Sequence, residues 1–381
     1  MTRFLNEIEQ EIQSTVRRFA EKEIRPRRLE GYSGHEFSRA MYKRCGELGL
    51  LGARVPEQFG GAGLTTTGAC VIIEELGRES AAVAIPALVT ITMAPALLAA
   101  PAAAERFLPG ILAGDLVVAT GWSDPAGVCN FGEQPELAVR DGDDFLVSGS
   151  KLWVSNGTFF DVMFVVGLYQ GALRGFIMDR NTPGLSVSVI EKMGCGAPMG
   201  LVTFDNCRVP ADMTVDFSAI VRDRVIDPHG AAGLVSMLYI TCIALGGATR
   251  CWELTYEYLC QRTRNKQPIA AMQAIQHKMV KMKSHLEAGR SMLYDAARLQ
   301  DEGRLDNVLA HLVKPWVTEM SCKIVQDCMT LHGGAGYAFD SGIEGYMRDT
   351  LGTLIGENTA QMHYSTVAFL MGFPGAEPSS V

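Results

Sequence analysis

Between Leu116 and about Val215 the chain changes its period. Apolar residues recur at helical spacing on either side of this stretch, whereas inside it they fall into short alternating runs bounded by Gly and Pro. A β segment set between two helical segments excludes a βαβ repeat and predicts an α+β architecture. The reading is an N-terminal α-helical domain over 1–115, a β-barrel or sandwich-like middle domain over 116–225, and a C-terminal four-helix bundle over 226–381. No G-x-G-x-x-G follows a strand, which argues against a Rossmann dinucleotide site.

Local signals fill in this outline. Glu36 to Gly49 and Ala69 to Gly77 are helical in spacing and each run ends in Gly. LAVRDGDDFLVSGS predicts a hairpin across Asp141-Gly142, with a loop longer than two residues. VMFVVGL, RGFIMD, LSVSVI and LVTFDNCRVP continue as strands. His229 to Thr249 is an uncharged core helix, Ala271 to Leu299 an amphipathic one stopped by Gly303, and Asp306 to Thr330 a third with a kink at Pro315. Ser80 to Ala104 is uncharged and long enough to span a bilayer. It is Ala-rich and interrupted by Pro86, Pro95 and Pro101, so it reads as a buried helix pair in a soluble protein.

Composition narrows the function classes. Of 381 residues 48% are hydrophobic and 20% charged, which is the balance of a folded globular chain. A net charge of −8 with no basic run argues against a nucleic-acid surface. The N-terminus is an acid-rich amphipathic helix, unlike a signal or transit peptide. Ten cysteines without a C-x-x-C pair or a His/Cys cluster predict reduced thiols in a cytoplasmic protein, with no metal site and no disulfide framework.

The chemistry concentrates in RDTLGTLIGENTAQ, Arg348 to Gln361. Glu357 is its lone carboxylate after Asp349, among Gly and small polar residues. Such surroundings raise a carboxyl pKa toward the range of a general base, although an exposed Glu in a helix-starting loop would show the same spacing. The segment resembles the signature of the acyl-CoA dehydrogenase family, R-D-A-x-x-x-x-x-[YF]-E-G-T-x-[QED]. Arg348, Asp349, Glu357, Thr359 and Gln361 fall in register. The resemblance implies that Glu357 removes the α-proton of an acyl thioester while a hydride leaves Cβ for the flavin of FAD. Gly356 replaces the usual aromatic and Asn358 the usual Gly. LGLLGARVPEQFGGAGL resembles the family's N-terminal marker, and the helical–β–helical order is also the family's, so the likeness spans nearly the whole chain.

Further stretches carry the cofactor reading. KLWVSNG resembles W-I-T-N-G, which implies that Trp153 covers the flavin and Ser155 meets its N5; composition alone would make Trp153 a core residue. GWSDPAGVCN resembles V-T-E-P-x-x-G-S-D, placing Ser123 on the flavin ring and Cys129 in the loop that touches the substrate's pantetheine. Cys129 also reads as a small buried filler. RTRNKQPIAAMQAIQ resembles R-x-x-F-G-x-P-I-x-x-x-Q-x-[IV]-Q, implying that Arg262 reaches the FAD pyrophosphate and that Gln273 belongs to the same site. LHGGAGY resembles Q-[IL]-x-G-G-x-G-[YF], whose glycines, here Gly333 and Gly334, let a neighbouring subunit approach the adenylate. Thr359 and Gln361 join the cofactor set, and Gly356 lines the substrate side with extra room near Cα. In some members a second catalytic carboxylate lies near Gly233 to Met237; here that stretch has none.

The implied partners are an acyl-CoA or carrier-bound acyl thioester and an electron-transfer flavoprotein. The implied assembly is a homo-oligomer, typically a dimer of dimers. The altered loops also fit a half-site subunit paired with a homologous chain, and the scaffold admits a flavin oxidase or monooxygenase.

Overall fold

The structure is a computed structural model and describes residues 5–125, 135–196, 199–217 and 231–376, with side chains from Val235 onward in the last segment. The first segment carries α1 (Glu7–Phe19), α2 (Glu36–Glu47), α3 (Thr66–Glu79), α4 (Ala81–Met93) and α5 (Pro101–Leu112). A capping box starts α1: Asn6 Oδ1 accepts from Glu9 N, and Glu9 Oε2 accepts from Asn6 N. Just past α2, Gly49 takes the left-handed φ of +73° that ends the helix.

Gly77 does not end α3, as its sequence position suggested. It lies two residues inside, at the crossing with α6 (Ala231–Gln261), where an added Cβ would come 2.8 Å from Ile243 Cα. Its small size serves helix approach. Ala81–Ala99 and Val235–Gln261 are long and apolar enough to cross a membrane, yet both are buried core helices.

The middle segment contains β1 (Val118–Gly121), β2 (Ala138–Asp141), β3 (Asp144–Val154), β4 (Val162–Tyr169), β5 (Ala172–Asp179), β6 (Leu185–Ile190), β7 (Met199–Pro210) and β8 (Thr214–Asp216). They form two sheets, β1-β4-β5-β8 and β2-β3-β7-β6, in which only the β1–β4 pair is parallel among the described strands. Phe145, Val147 and Phe204 of one sheet pack on Met163, Val165 and Phe176 of the other. The arrangement is sandwich-like, without barrel closure. The β2–β3 hairpin is tighter than expected: Asp141 pairs with Asp144, leaving a two-residue loop in which Gly142 supplies a φ of +62°.

The C-terminal helices are α6, α7 (Gln273–Asp301), α8 (Asn307–Leu331), α9 (Ile343–Ile355) and α10 (Ala360–Leu370). Gly303, at φ +67°, stops α7, and Asp306 Oδ1 caps α8 by accepting from Leu309 N at 2.8 Å. The α8 helix continues through Pro315. The three long helices α6, α7 and α8 pack on one another, α9 fills the fourth position, and α10 lies on α8.

Asp349 ties all three parts together. Its Oδ1 accepts from Cys195 N at 2.8 Å, and its Oδ2 accepts from Tyr32 Oη at 2.8 Å. The Arg28 guanidinium stands 3.9 Å from the same carboxylate and lies 3.8 Å over the Tyr346 ring. Asp349→Asn turns an amide donor toward one of these donors. A buried donor left without its acceptor costs about 1–3 kcal/mol, so the denaturant midpoint is expected to fall accordingly; an unchanged midpoint would show the tie to be dispensable.

Candidate active site

Glu357 stands between α9 and α10, in a connection of only four residues. It has a φ of +52° and the following Asn358 a φ of +70°. Two consecutive non-glycine residues in the left-handed region are strained, and Asn tolerates that region better than most. Asn358 therefore preserves a conformation that Gly would adopt freely.

Three helices converge on this loop. Ser236 of α6 donates to Glu357 Oε2 at 2.7 Å. Lys314 of α8, fully buried, donates to Leu354 O at 2.9 Å and to Asn358 O. His363 of α10 contacts Glu357 O through Nε2 at 2.9 Å, and its Nδ1 lies 2.9 Å from His311 Nδ1 of α8. Desolvation by the surrounding protein pushes the Glu357 carboxyl above the ordinary range, opposed by the Ser236 hydroxyl and the Lys314 charge. Glu357 is nonetheless exposed on one side. The crowding acts from the protein side, and the open side is the one a ligand would cover. Burial holds the Lys314 amine down to about 8, with Glu357 and Glu319 acting against it.

The wall beside Glu357 belongs to α6 and α9. A Cβ at Gly356 would come 3.3 Å from Gly352 O, tighter than ordinary contact, and 3.8–3.9 Å from the Ile240 side chain, while the φ of −62° is one that any residue can adopt. Ser236, Ile240, Ile243 and Gly247 recur at helical spacing along one face of α6. Ile243 and Gly247 line a small, water-sized cavity with Ala81 and Thr353, and Ala81 also lines a crevice of similar size with Pro86, Ser155, Asn156, Lys192 and Met199.

The flavin candidates of the middle domain do meet. Leu152 N donates to Ser123 O at 2.9 Å, Ser155 bridges Thr120, and buried Asn156 donates to Val118 O at 2.8 Å. These bonds tie the strand carrying Trp153 and Ser155 to the end of β1. Trp153 is not a core residue, as composition alone would have it: it is 52% exposed, at a φ of +59°. An apolar plane turned outward beside two half-buried hydroxyls fits a flat aromatic cofactor.

Arg262, Gln273, Gly333 and Gly334 are all exposed, and they lie elsewhere. Arg262 follows α6 and leads into a small hairpin, β9 (Thr263–Arg264) and β10 (Gln267–Pro268), whose loop residues Asn265 and Lys266 both have positive φ. Lys266 thus occupies the left-handed place that Gly usually takes in such a turn. Tyr258 stacks on His332 at 4.3 Å, which brings this hairpin beside the Gly333–Gly334 turn. At 1.5 Å rise per residue, Arg262 is about 39 Å along α6 from Ser236. Among the predicted residues, Thr359 caps α10 by position without a side-chain bond to it, and Gln361 is exposed. Cys129, with Val128 and Asn130, lies outside the described residues, as do Asp227 and His229.

Four residues of the site were not singled out in the sequence. Ser236 falls inside the stretch examined for a second carboxylate, and its hydroxyl binds Glu357 instead. His311 and Lys314 sit on the helix read over Asp306 to Thr330, and His363 on α10, and none of the three was picked out. A histidine and a lysine three residues apart in the otherwise apolar stretch Val308 to Val317 was the available signal.

The geometry defines a class: a helical–β–helical chain with a strained carboxylate, desolvated by the protein and exposed on its other side, and an outward tryptophan next to Ser155. Comparison with known proteins matches all three parts. The acyl-CoA dehydrogenase N-terminal, middle and C-terminal domain models match residues 6–115, 119–207 and 236–371. The chain is 30% identical over 369 residues to an acyl-CoA dehydrogenase of Bacillus subtilis, covering 94% of this chain and 96% of that one. It is also 30% identical over 369 residues to the benzylmalonyl-CoA dehydrogenase of Aromatoleum aromaticum, with the same coverage. A glutaryl-CoA dehydrogenase from Mycobacterium smegmatis, solved with FADH2, superposes with a TM-score of 0.90 at 23% identity, over 99% of this chain and 97% of that chain. This chain belongs to the acyl-CoA dehydrogenase family, FAD-dependent oxidoreductases acting on CH–CH bonds.

Proposed function

We propose that this chain catalyses α,β-dehydrogenation of an acyl-CoA thioester with Glu357 as the base. The observation that carries the reading is Glu357 itself, fixed at positive φ, hydrogen-bonded by Ser236, desolvated on the protein side and exposed on the other. FAD, when bound, supplies the hydride acceptor and, with the Glu357 N–H, polarises the thioester carbonyl. Trp153, Ser123 and Ser155 would hold its ring, with Thr359 and Gln361 at the site's C-terminal side. Ser236 keeps the Glu357 carboxylate oriented, and a substrate bound against its exposed side would exclude water from it. Glu357 then takes the α-proton onto its carboxylate.

Arg262, Gln273, Gly333 and Gly334 lie at the far end of α6. We propose that they complete the FAD site of a second copy, so that the working enzyme is a homo-oligomer. Electrons then leave to an electron-transfer flavoprotein, and the free thiols fit a cytoplasmic setting. The test is the visible spectrum of the purified chain, followed by anaerobic addition of acyl-CoAs. Flavin in near-unit amount that bleaches supports the reading. A colourless chain that stays colourless with FAD would turn it toward a half-site subunit, and vigorous oxygen uptake toward an oxidase.

Gly356 in place of an aromatic removes a large side chain next to Ile240, which favours a branched, cyclic or otherwise bulky acyl group. The benzylmalonyl-CoA dehydrogenase relative, named for an aromatic acyl group, supports this direction. Gly356→Tyr has an ordinary φ, requires a shift of a few tenths of an ångström at the Gly352 carbonyl, and is expected to cut kcat/KM for bulky thioesters by roughly tenfold or more while sparing straight-chain ones. Straight-chain thioesters reacting best in the wild type would contradict the assignment.

A further inference from the structure

The Glu357 loop is held by a set of donors that no part of the dehydrogenation chemistry uses. Lys314 donates to the carbonyls of Leu354 and Asn358, and His363 meets the carbonyl of Glu357. The three carbonyls straddle the two left-handed residues. His311, Lys314 and His363 are all buried, at 4%, 0% and 1% exposure.

Hydrogen-bond roles in this cluster follow from its chemistry. A carbonyl only accepts, so His363 Nε2 carries a proton and donates to Glu357 O. Desolvation first, then the Lys314 charge and His311, push the His363 ring down to about 3, so it is neutral near pH 7. A neutral ring with a proton on Nε2 has an accepting Nδ1. His311 Nδ1–H must therefore donate to it across 2.9 Å. The direction of the chain is fixed: α8 through His311, to α10 through His363, to the backbone of Glu357. Lys314, one turn from His311 on α8, adds the second arm. A cation at the α9 C-terminus also meets the carbonyl end of that helix's dipole.

We infer that His311 and His363 form a directional relay that, with Lys314, clamps Glu357 in its left-handed conformation and so aims its carboxylate toward the substrate. The two histidines are positioning residues, and their role rests on the reading of Glu357 as the base. Left-handed backbone in a residue with a Cβ relaxes when its carbonyl is released. Relaxation swings the carboxylate away without touching the Trp153 and Ser155 region.

The test uses the FAD-loaded full chain and an acyl-CoA that bleaches its flavin. His363→Phe keeps ring volume and removes the donor. It is expected to lower kcat by about 10²-fold, the scale of an ångström's misplacement, with KM and flavin content close to wild type. His363→Gln, whose amide can donate to the same carbonyl, is expected to recover most of kcat. A folded, flavin-replete His363→Phe enzyme with wild-type kcat would overturn the relay, as would failure of His363→Gln to exceed it. Nitrogen NMR of the wild-type protein gives a second readout that does not depend on any variant folding: Nε2 of His363 protonated and Nδ1 bare. A proton on His363 Nδ1 at neutral pH overturns the relay. If the wild-type flavin is not bleached by any acyl-CoA, the proposed reaction fails instead, and the His363 tautomer still decides the relay.

Discussion

Glu357→Gln is expected to keep the fold and bound FAD and to lose thioester-dependent bleaching of the flavin. Loss of a positioned general base removes about 10²–10⁴-fold in rate. The amide preserves the shape of the side chain and its contact with Ser236 Oγ, at 2.7 Å in the parent. Stability moves the other way. Burial raises the Glu357 carboxyl above its ordinary value, so between the unfolded and folded pKa values the unfolded chain binds fewer protons. Its contribution to folding is then present below the unfolded pKa and lost as pH rises through the folded one. At neutral pH the ionised carboxylate detracts from stability, and Glu357→Gln should melt no lower than wild type. In the wild type, the rate should rise with pH through a midpoint above the ordinary carboxylate value. A variant that melts lower and still bleaches would make Glu357 structural.

The second large effect lies in the core. Arg290 of α7 donates twice to Glu74 Oε1 of α3, at 3.1 and 2.6 Å, and to Thr249 Oγ1 of α6 at 3.0 Å, while Tyr294 Oη donates to Glu74 Oε2 at 2.8 Å. Glu74 is 0% and Arg290 1% exposed. Arg290→Met leaves a buried carboxylate without its cation and is expected to cost about 3–5 kcal/mol in denaturant unfolding. Adding Glu74→Gln removes the stranded charge and should restore much of the loss. A double variant no better than the single would mean that packing at Arg290, and not the charge, carries the effect. This network docks the N-terminal helices on the bundle, so partial unfolding is expected to begin there.

Features set by local chemistry could be read from the sequence alone. The helix stops at Gly49 and Gly303 and the helix start at Asp306 are dictated by backbone freedom and side-chain acceptors within a few residues. Gly77 misled because the same residue type ends helices and permits close helix crossings, and only the position of α6 distinguishes the two. The hairpin at Asp141 was located but made too long, since the register depends on the pairing of Asp141 with Asp144. The signature around Glu357 and the tryptophan–serine stretch stood out because each is contiguous. Ser236, His311, Lys314 and His363 did not, because three helices bring them to one loop and no spacing along the chain records it. The distance between Arg262 and Glu357 is likewise a property of one long helix.

Removal of the α-proton by Glu357 is read from deuterium entry at Cα of a bound acyl-CoA in heavy water under anaerobic conditions. The FAD-loaded wild type should place solvent deuterium at Cα, and Glu357→Gln, equally loaded with FAD, should not. Deuterium entering at the wild-type rate in Glu357→Gln would contradict the account and assign the base elsewhere.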